Sequence, residues 1–153
     1  FDVAIQEHVR RKYGLAIGER TSEDIKIRIG SALYLEKKLE MQVKGRDMIN
    51  GLPRVITVTS DDVTDAIQNE LQGIVEKIKE VLHATPPELS ADVMEKGMVL
   101  SGGSSQLRNL DRLFADATGV PAFVADDPQL CVAKGTGIAL ENLESYKRSI
   151  FSS

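Results

Sequence analysis

Two stretches of this chain carry residues whose types and spacing suit a polar ligand. Glu23 and Lys26 stand three apart in a run of helical spacing, so their side chains share one face. A carboxylate accepts from hydroxyl donors such as those of a ribose, and an ammonium donates to acceptor oxygens or ring nitrogens. Taken alone, the pair reads equally as a surface ion pair, worth about 0.2–0.5 kcal/mol. The second stretch is Met98-Val99-Leu100-Ser101-Gly102-Gly103-Ser104-Ser105-Gln106-Leu107, in which a short apolar strand delivers the chain to a glycine pair and a helix is expected at once. Unpaired amides at a helix start attract anions and polar ligand atoms, and glycines let the backbone come close to them. The run is neither a P-loop nor a Gly-x-Gly-x-x-Gly dinucleotide turn. Its plain alternative is a tight strand-to-helix turn.

The other chemistry-bearing residues point elsewhere. His8 and His83 have no Cys or His companion at ligand spacing, so no zinc site is expected, and no catalytic or metal-ligating set stands out. Cys131 has no histidine near it in sequence and reads as a small core residue. Gly135 and Gly137, in Ala133-Lys134-Gly135-Thr136-Gly137-Ile138, suit either a kinked helix start or a hinge. Arg10-Arg11-Lys12 reads as a solvated helix face.

The whole chain narrows the classes. It has 153 residues, 42% of them hydrophobic and 27% charged, with a net charge of −4. That composition supports one packed domain, or one lobe of a larger protein, and argues against disorder. One cysteine excludes a disulfide scaffold and fits a reducing, cytoplasmic setting. No apolar run nears the roughly 18–20 residues of a membrane span. The acidic balance, with no tryptophan, argues against nucleic acid as a partner. The opening at Phe1, not methionine, suggests a trimmed chain or a fragment.

The elements that must hold these residues follow from periodicity. A helix is expected from Asp2 to Tyr13, and a second from Thr21, as its N-cap, to Gly30. Leu39 to Val43 and Val55 to Thr59 read as antiparallel strands joined by a loop from Gly45 to Pro53. Ser60-Asp61-Asp62 caps a long helix to about His83, whose Val63, Ile67, Leu71, Ile74, Ile78 and Val81 form one apolar stripe. Pro86-Pro87 ends it, and a short helix from Glu88 to Lys96 follows. Then come a strand over Met98 to Leu100, a helix through Leu107, Leu110 and Phe114 to Gly119, a strand over Ala122 to Ala125, and a last helical region to about Arg148. Strand–helix–strand–helix at this spacing predicts parallel strands.

Five segments in order resemble the MreB family of bacterial actins: Ile17 to Lys26, Gly45 to Pro53, Thr85 to Asp92, Val99 to Gly103 and Asp126 to Gly137. The resemblance implies an α/β, actin-like (ribonuclease H-like) ATPase fold, here its C-terminal lobe with an α+β inserted subdomain. Residues 1–85 would be the subdomain IIB-like α+β region. Residues 86–153 would be the later part of the subdomain IIA-like α/β region with the C-terminal helix. The family's Glu-x-x-Lys helix, which meets the ribose and adenine side of ATP, falls on Glu23, Asp24, Ile25 and Lys26. Its adenosine loop falls on Gly102, Gly103, Ser104, Ser105 and Gln106, and Gly135-Thr136-Gly137 matches its interdomain hinge. The family commonly continues its glycine pair with glycine and apolar residues, where Ser104, Ser105 and Gln106 stand here, and Lys134 takes a position commonly apolar.

The resemblance further implies ATP as cofactor, with Mg²⁺ held mainly by residues outside this chain. Both phosphate loops of the family precede the part matched here, so the chain alone is not expected to hydrolyse ATP. It implies self-association into filaments at the inner face of the cell membrane, with membrane-associated cell-shape and wall-synthesis proteins as partners and membrane contact only through the missing half. Two other readings stay open: a sugar-kinase or Hsp70-type ATPase fragment of the same superfamily, and a truncated binding module without nucleotide. The first is not expected to carry Gly45-Arg46-Asp47 with Asn50-Gly51-Leu52-Pro53.

Overall fold

A β-branched run from Val55 to Thr59 after Asn50-Gly51, and the alternation of Leu39, Met41 and Val43 before it, make the hairpin at the centre of the first half. The computed structural model describes residues 1–143 and 146. Strand β2 (Glu40–Asp47) pairs antiparallel with β3 (Pro53–Thr59), from Glu40 opposite Thr59 to Arg46 opposite Pro53. The ladder thus continues past Gly45, where a loop was expected. A two-residue strand, β1 (Leu15–Ala16), adds to the far edge of β2, and Gly45 makes room for it. A Cβ there would lie 2.5 Å from the Ala16 carbonyl oxygen and 2.8 Å from the Leu15 side chain.

Three helices cover this sheet. They are α1 (Asp2–Tyr13), α2 (Glu19–Ile29) and the long α3 (Ser60–Ala84). Helix α2 starts two residues before the expected Thr21, with Gly18 as its N-cap. Thr59, not Ser60, caps α3 in a reciprocal box: the Asp62 amide donates to Thr59 Oγ1, and the Thr59 amide donates to Asp62 Oδ2 at 2.7 Å. Ile5 and Val9 of α1, Ile25 and Ile29 of α2, Val63, Ile67 and Leu71 of α3, and Leu15, Val43 and Val58 of the sheet close into one apolar core.

Lys12 does not lie on a purely solvated face. Its ammonium reaches the fully buried Asp62, to which Tyr13 Oη also donates at 2.9 Å. Burial alone would raise the Asp62 carboxyl, but hydrogen bonds from Lys12, Thr59 and Tyr13 outweigh it and hold it well below the usual carboxylate range. This node ties the end of α1 to the start of α3.

After α3 come α4 (Pro87–Lys96) and a parallel pair, β4 (Met98–Leu100) beside β5 (Ala122–Val124), as the sequence predicts. The link between them departs from expectation. No α-helix follows the glycine pair at once. A 3-10 turn, Gly103–Gln106, comes first, and α5 (Leu110–Thr118) begins only after Asn109 takes a left-handed conformation at φ 59°. Leu107, Leu110 and Phe114 bury against the core of the first half, so the two halves share it. A short 3-10 turn, Pro128–Leu130, leads to α6 (Cys131–Glu141). Gly135 and Gly137 lie inside this helix, and Cys131 is half-buried at its start, outside the core. The expected run to about Arg148 passes beyond the described residues.

Candidate functional site

A cleft of about 700 Å³ opens between α2 and the 3-10 turn. Glu23, Lys26, Ile27 and Gly30 of α2 and its cap form one wall, and Gly103, Ser104 and Gln106 with Leu107 and Arg108 form the other. Gln129, from the turn before α6, closes one side, with its Nε2 3.4 Å from Gln106 Oε1. Two sequence segments that were only locally suggestive therefore face each other across a single hollow.

Glu23 is exposed and lines the α2 wall of the cleft. Lys26 does not pair with Glu23. Its Nζ lies 2.9 Å and 3.0 Å from the two carboxylate oxygens of Asp2, at the start of α1. Asp24 is exposed and lies off the cleft, and the Ile25 side chain is fully buried in the core, because their positions on α2 turn away from the face that Glu23 and Lys26 share. Gly102 is likewise off the cleft, with its amide donating to the Pro128 carbonyl at 2.7 Å. Ser105 is buried and donates back to the Gly102 carbonyl at 2.6 Å, so it shapes the turn from behind. The 3-10 turn has only four residues, so it carries no helix dipole of consequence for an anion.

Sequence reading missed Arg108 and Gln129. Arg108 Nη1 donates to the Gly30 carbonyl at 3.1 Å and to the Ile27 carbonyl at 3.3 Å, crossing the cleft floor. Arg108 sits in no motif, and Gln129 lies in the Asp126 to Gly137 segment without any local sign of a role at the cleft. Only the partners they meet in space reveal them.

The donor set fits a nucleoside. Glu23 offers acceptors for ribose hydroxyls, and Lys26, Gln106 and Gln129 offer donors. A Cβ added to Gly103 would meet nothing closer than 3.7 Å, so the turn leaves room for a flat ligand. Among the described residues, no group of three or more His, Cys, Asp or Glu could hold a metal ion. A larger groove of about 960 Å³ lies along the far half of α3, but its lining is overwhelmingly apolar and offers little to a sugar or phosphate.

The MreB/Mbl protein family matches residues 1–148. The chain belongs to the MreB/Mbl family. It is 48% identical over 144 residues to the cell shape-determining protein Mbl of Bacillus cereus, covering 94% of this chain and 43% of that one. It is 47% identical over 152 residues to the cell shape-determining protein MreB of Escherichia coli, covering 99% and 44%. The chain thus spans less than half the length of these relatives. Crystal structures of Spiroplasma citri MreB5 bound to AMPPNP and to ADP each superpose with a TM-score of 0.89 at 34% identity, covering 97% and 99% of this chain and 44% and 45% of theirs. The MamK double helical filament shares the fold at 19% identity and a TM-score of 0.66. The fold is therefore the actin-like α/β fold, in a partial lobe.

Proposed function

We propose that this MreB/Mbl chain holds the adenosine side of an ATP site in a filament-forming cytoskeletal protein that maintains rod shape by organising wall synthesis. Glu23 accepts from the ribose, Lys26 donates on the base and ribose side, and Gly103, Ser104 and Gln106 supply the opposite wall. Phosphates and Mg²⁺ are held by parts of the longer relatives that this chain does not span, so the chain alone does not hydrolyse ATP. In this reading residues 1–85 correspond to subdomain IIB, residues 86–153 to the later part of IIA, and Gly135-Thr136-Gly137 to the hinge segment. The filaments lie in the cytoplasm against the inner face of the membrane, with membrane-associated wall-synthesis proteins as partners.

The observation that supports this reading best is the cleft itself, which gathers a carboxylate, an ammonium and a glycine turn from segments roughly 80 residues apart. The nucleotide-bound state of the two MreB5 structures supports it independently. Titration of ADP into the ¹⁵N-labelled chain tests it. Saturable amide shifts are expected at Glu23, Lys26, Gly103 and Ser104. Glu23→Ala and Lys26→Ala are each expected to weaken binding about tenfold, the effect of roughly 1.4 kcal/mol for one charged hydrogen bond. Absence of saturable shifts at those residues up to roughly 10 mM ADP, a free energy near −2.7 kcal/mol, sinks the reading.

A further inference from the structure

We propose that Arg108 is a positioning residue for the cleft: it staples the end of α2 to the chain following the 3-10 turn, and so sets the separation of the two walls before any ligand arrives. The inference rests on the nucleotide reading of the cleft and adds a residue to it.

The last carbonyls of a helix have no partner within it. At the end of α2, one of these, on Ile27, and the carbonyl of the cap residue Gly30 accept from Arg108 Nη1. A cation at that place also meets the negative end of the helix dipole. The same junction is bonded through the main chain. The Ala32 amide donates to the Arg108 carbonyl at 2.8 Å, and Ser31 and Arg108 form a parallel bridge. Asn109 Nδ2 donates to Ser31 Oγ at 3.0 Å, and Thr64 Oγ1 donates to the Ser31 carbonyl at 3.0 Å, which anchors the junction on α3. Ser31 is fully buried beneath it.

Two contacts favour a glycine at this junction, the tighter one within α2 itself and the looser one with Leu107 across it. A Cβ on Gly30 would lie 2.3 Å from the Lys26 carbonyl oxygen and 3.1 Å from Leu107 Cδ1. Lys26 and Glu23 stand about one and two turns back along α2 from this point, and Gly103 to Gln106 lead straight into it. Arg108 is exposed and its Nη1 is occupied by main-chain acceptors, so its role is to hold the walls and not to bear the stability of the core. Without it the α2 carbonyls turn to water and the turn gains freedom relative to α2.

The test compares the unaltered chain with Arg108→Ala, Arg108→Lys and Val43→Ala. Val43 is buried in the sheet core away from the cleft, so Val43→Ala lowers stability without touching the staple. Backbone order parameters of the ligand-free chain and the dissociation constant for ADP are read on each. In Arg108→Ala the order parameters of Gly103, Ser104 and Gln106 are expected to fall from about 0.85 to below about 0.7, and ADP to bind about tenfold more weakly. Val43→Ala is expected to leave order parameters unchanged and ADP affinity within about twofold, a split that a purely structural role for Arg108 would not give. Arg108→Lys, which keeps a donor for one carbonyl, is expected to fall between. Unchanged order parameters in Arg108→Ala, or ADP affinity within about twofold of the unaltered chain, overturn the proposal. If the unaltered chain shows no saturable ADP shifts, the nucleotide reading fails, and the order parameters still decide whether Arg108 holds the walls.

Discussion

Lys26 enters the cleft already paired. Its ammonium sits between both oxygens of Asp2, so a ligand acceptor must compete with a carboxylate for its donors. Neutralising that competitor frees the lysine. Asp2→Asn is expected to tighten ADP binding about threefold to fivefold, matching roughly 1 kcal/mol for a partly exposed pair, with a smaller gain at high salt. An ADP titration of the variant at low and high ionic strength reads this, and weaker binding would show that Asp2 instead holds Lys26 in its working position. At this scale the shared face of Glu23 and Lys26 and the glycine turn at Gly103, Ser104 and Gln106 were legible from short spacing and residue type, while their role toward a nucleotide stands as the proposal. Arg108 was not, because its role is defined by carbonyls 78 and 81 positions away. Asp24, Ile25, Gly102 and Ser105 were carried along by motif position, and helix geometry and turn hydrogen bonds place them off the cleft.

The contact between α1 and α3 depends on one buried carboxylate. Asp62 closes the capping box of α3 and accepts from Lys12 and Tyr13 of α1. Its folded-state value lies below the roughly 3.9 of an unfolded aspartate, so the stability it contributes is full above about pH 5 and is lost as pH falls. Asp62→Asn is expected to cost about 2–3 kcal/mol at pH 7, the range for hydrogen bonds to a charged group. The gap should narrow as pH falls below about 3.9, where the unfolded-state aspartate takes up a proton while the native carboxylate, held lower by its donors, keeps its charge. Urea unfolding of both proteins at about pH 7 and about pH 2 checks it. A gap independent of pH would show that the charge is irrelevant. Most helices and strands were legible from periodicity, including α3 and the parallel β4–β5 pair. The departures arise where tertiary contacts decide. Gly45 reads as the start of a loop but is ladder, because β1 needs its missing side chain for close approach. β1 itself has two residues, too few to show a period. The glycine pair does not start an α-helix, because Leu107 is extended and Asn109 left-handed as the chain turns in to meet Ser31.

At the scale of the molecule, one face of α3 changes character along its length. Val63, Ile67 and Leu71 are buried, whereas Ile74 and Val81 are 38% and 66% exposed and, with Phe1, Ile78, Leu82 and Met98, line the apolar groove. The stripe is continuous in sequence, but among the described residues nothing covers its second half. A chain with such a surface is expected to self-associate reversibly as its concentration rises, and Val81→Glu is expected to suppress this; sedimentation of both proteins over a concentration series reads it. Association unaffected by the substitution would place the contact elsewhere. The bridge between Ser31 and Arg108 bears also on how the protein comes into being. Its two sides are 77 positions apart, so a ribosome adding about 5–20 residues per second releases α2 several seconds before Arg108 exists. During that interval Glu23 and Lys26 are displayed on a helix that has only one wall of a pocket. If the cleft takes adenosine as proposed, the nascent chain is blind to nucleotide until it has been made through Asn109, and the first bound nucleotide marks a chain whose two halves have already met.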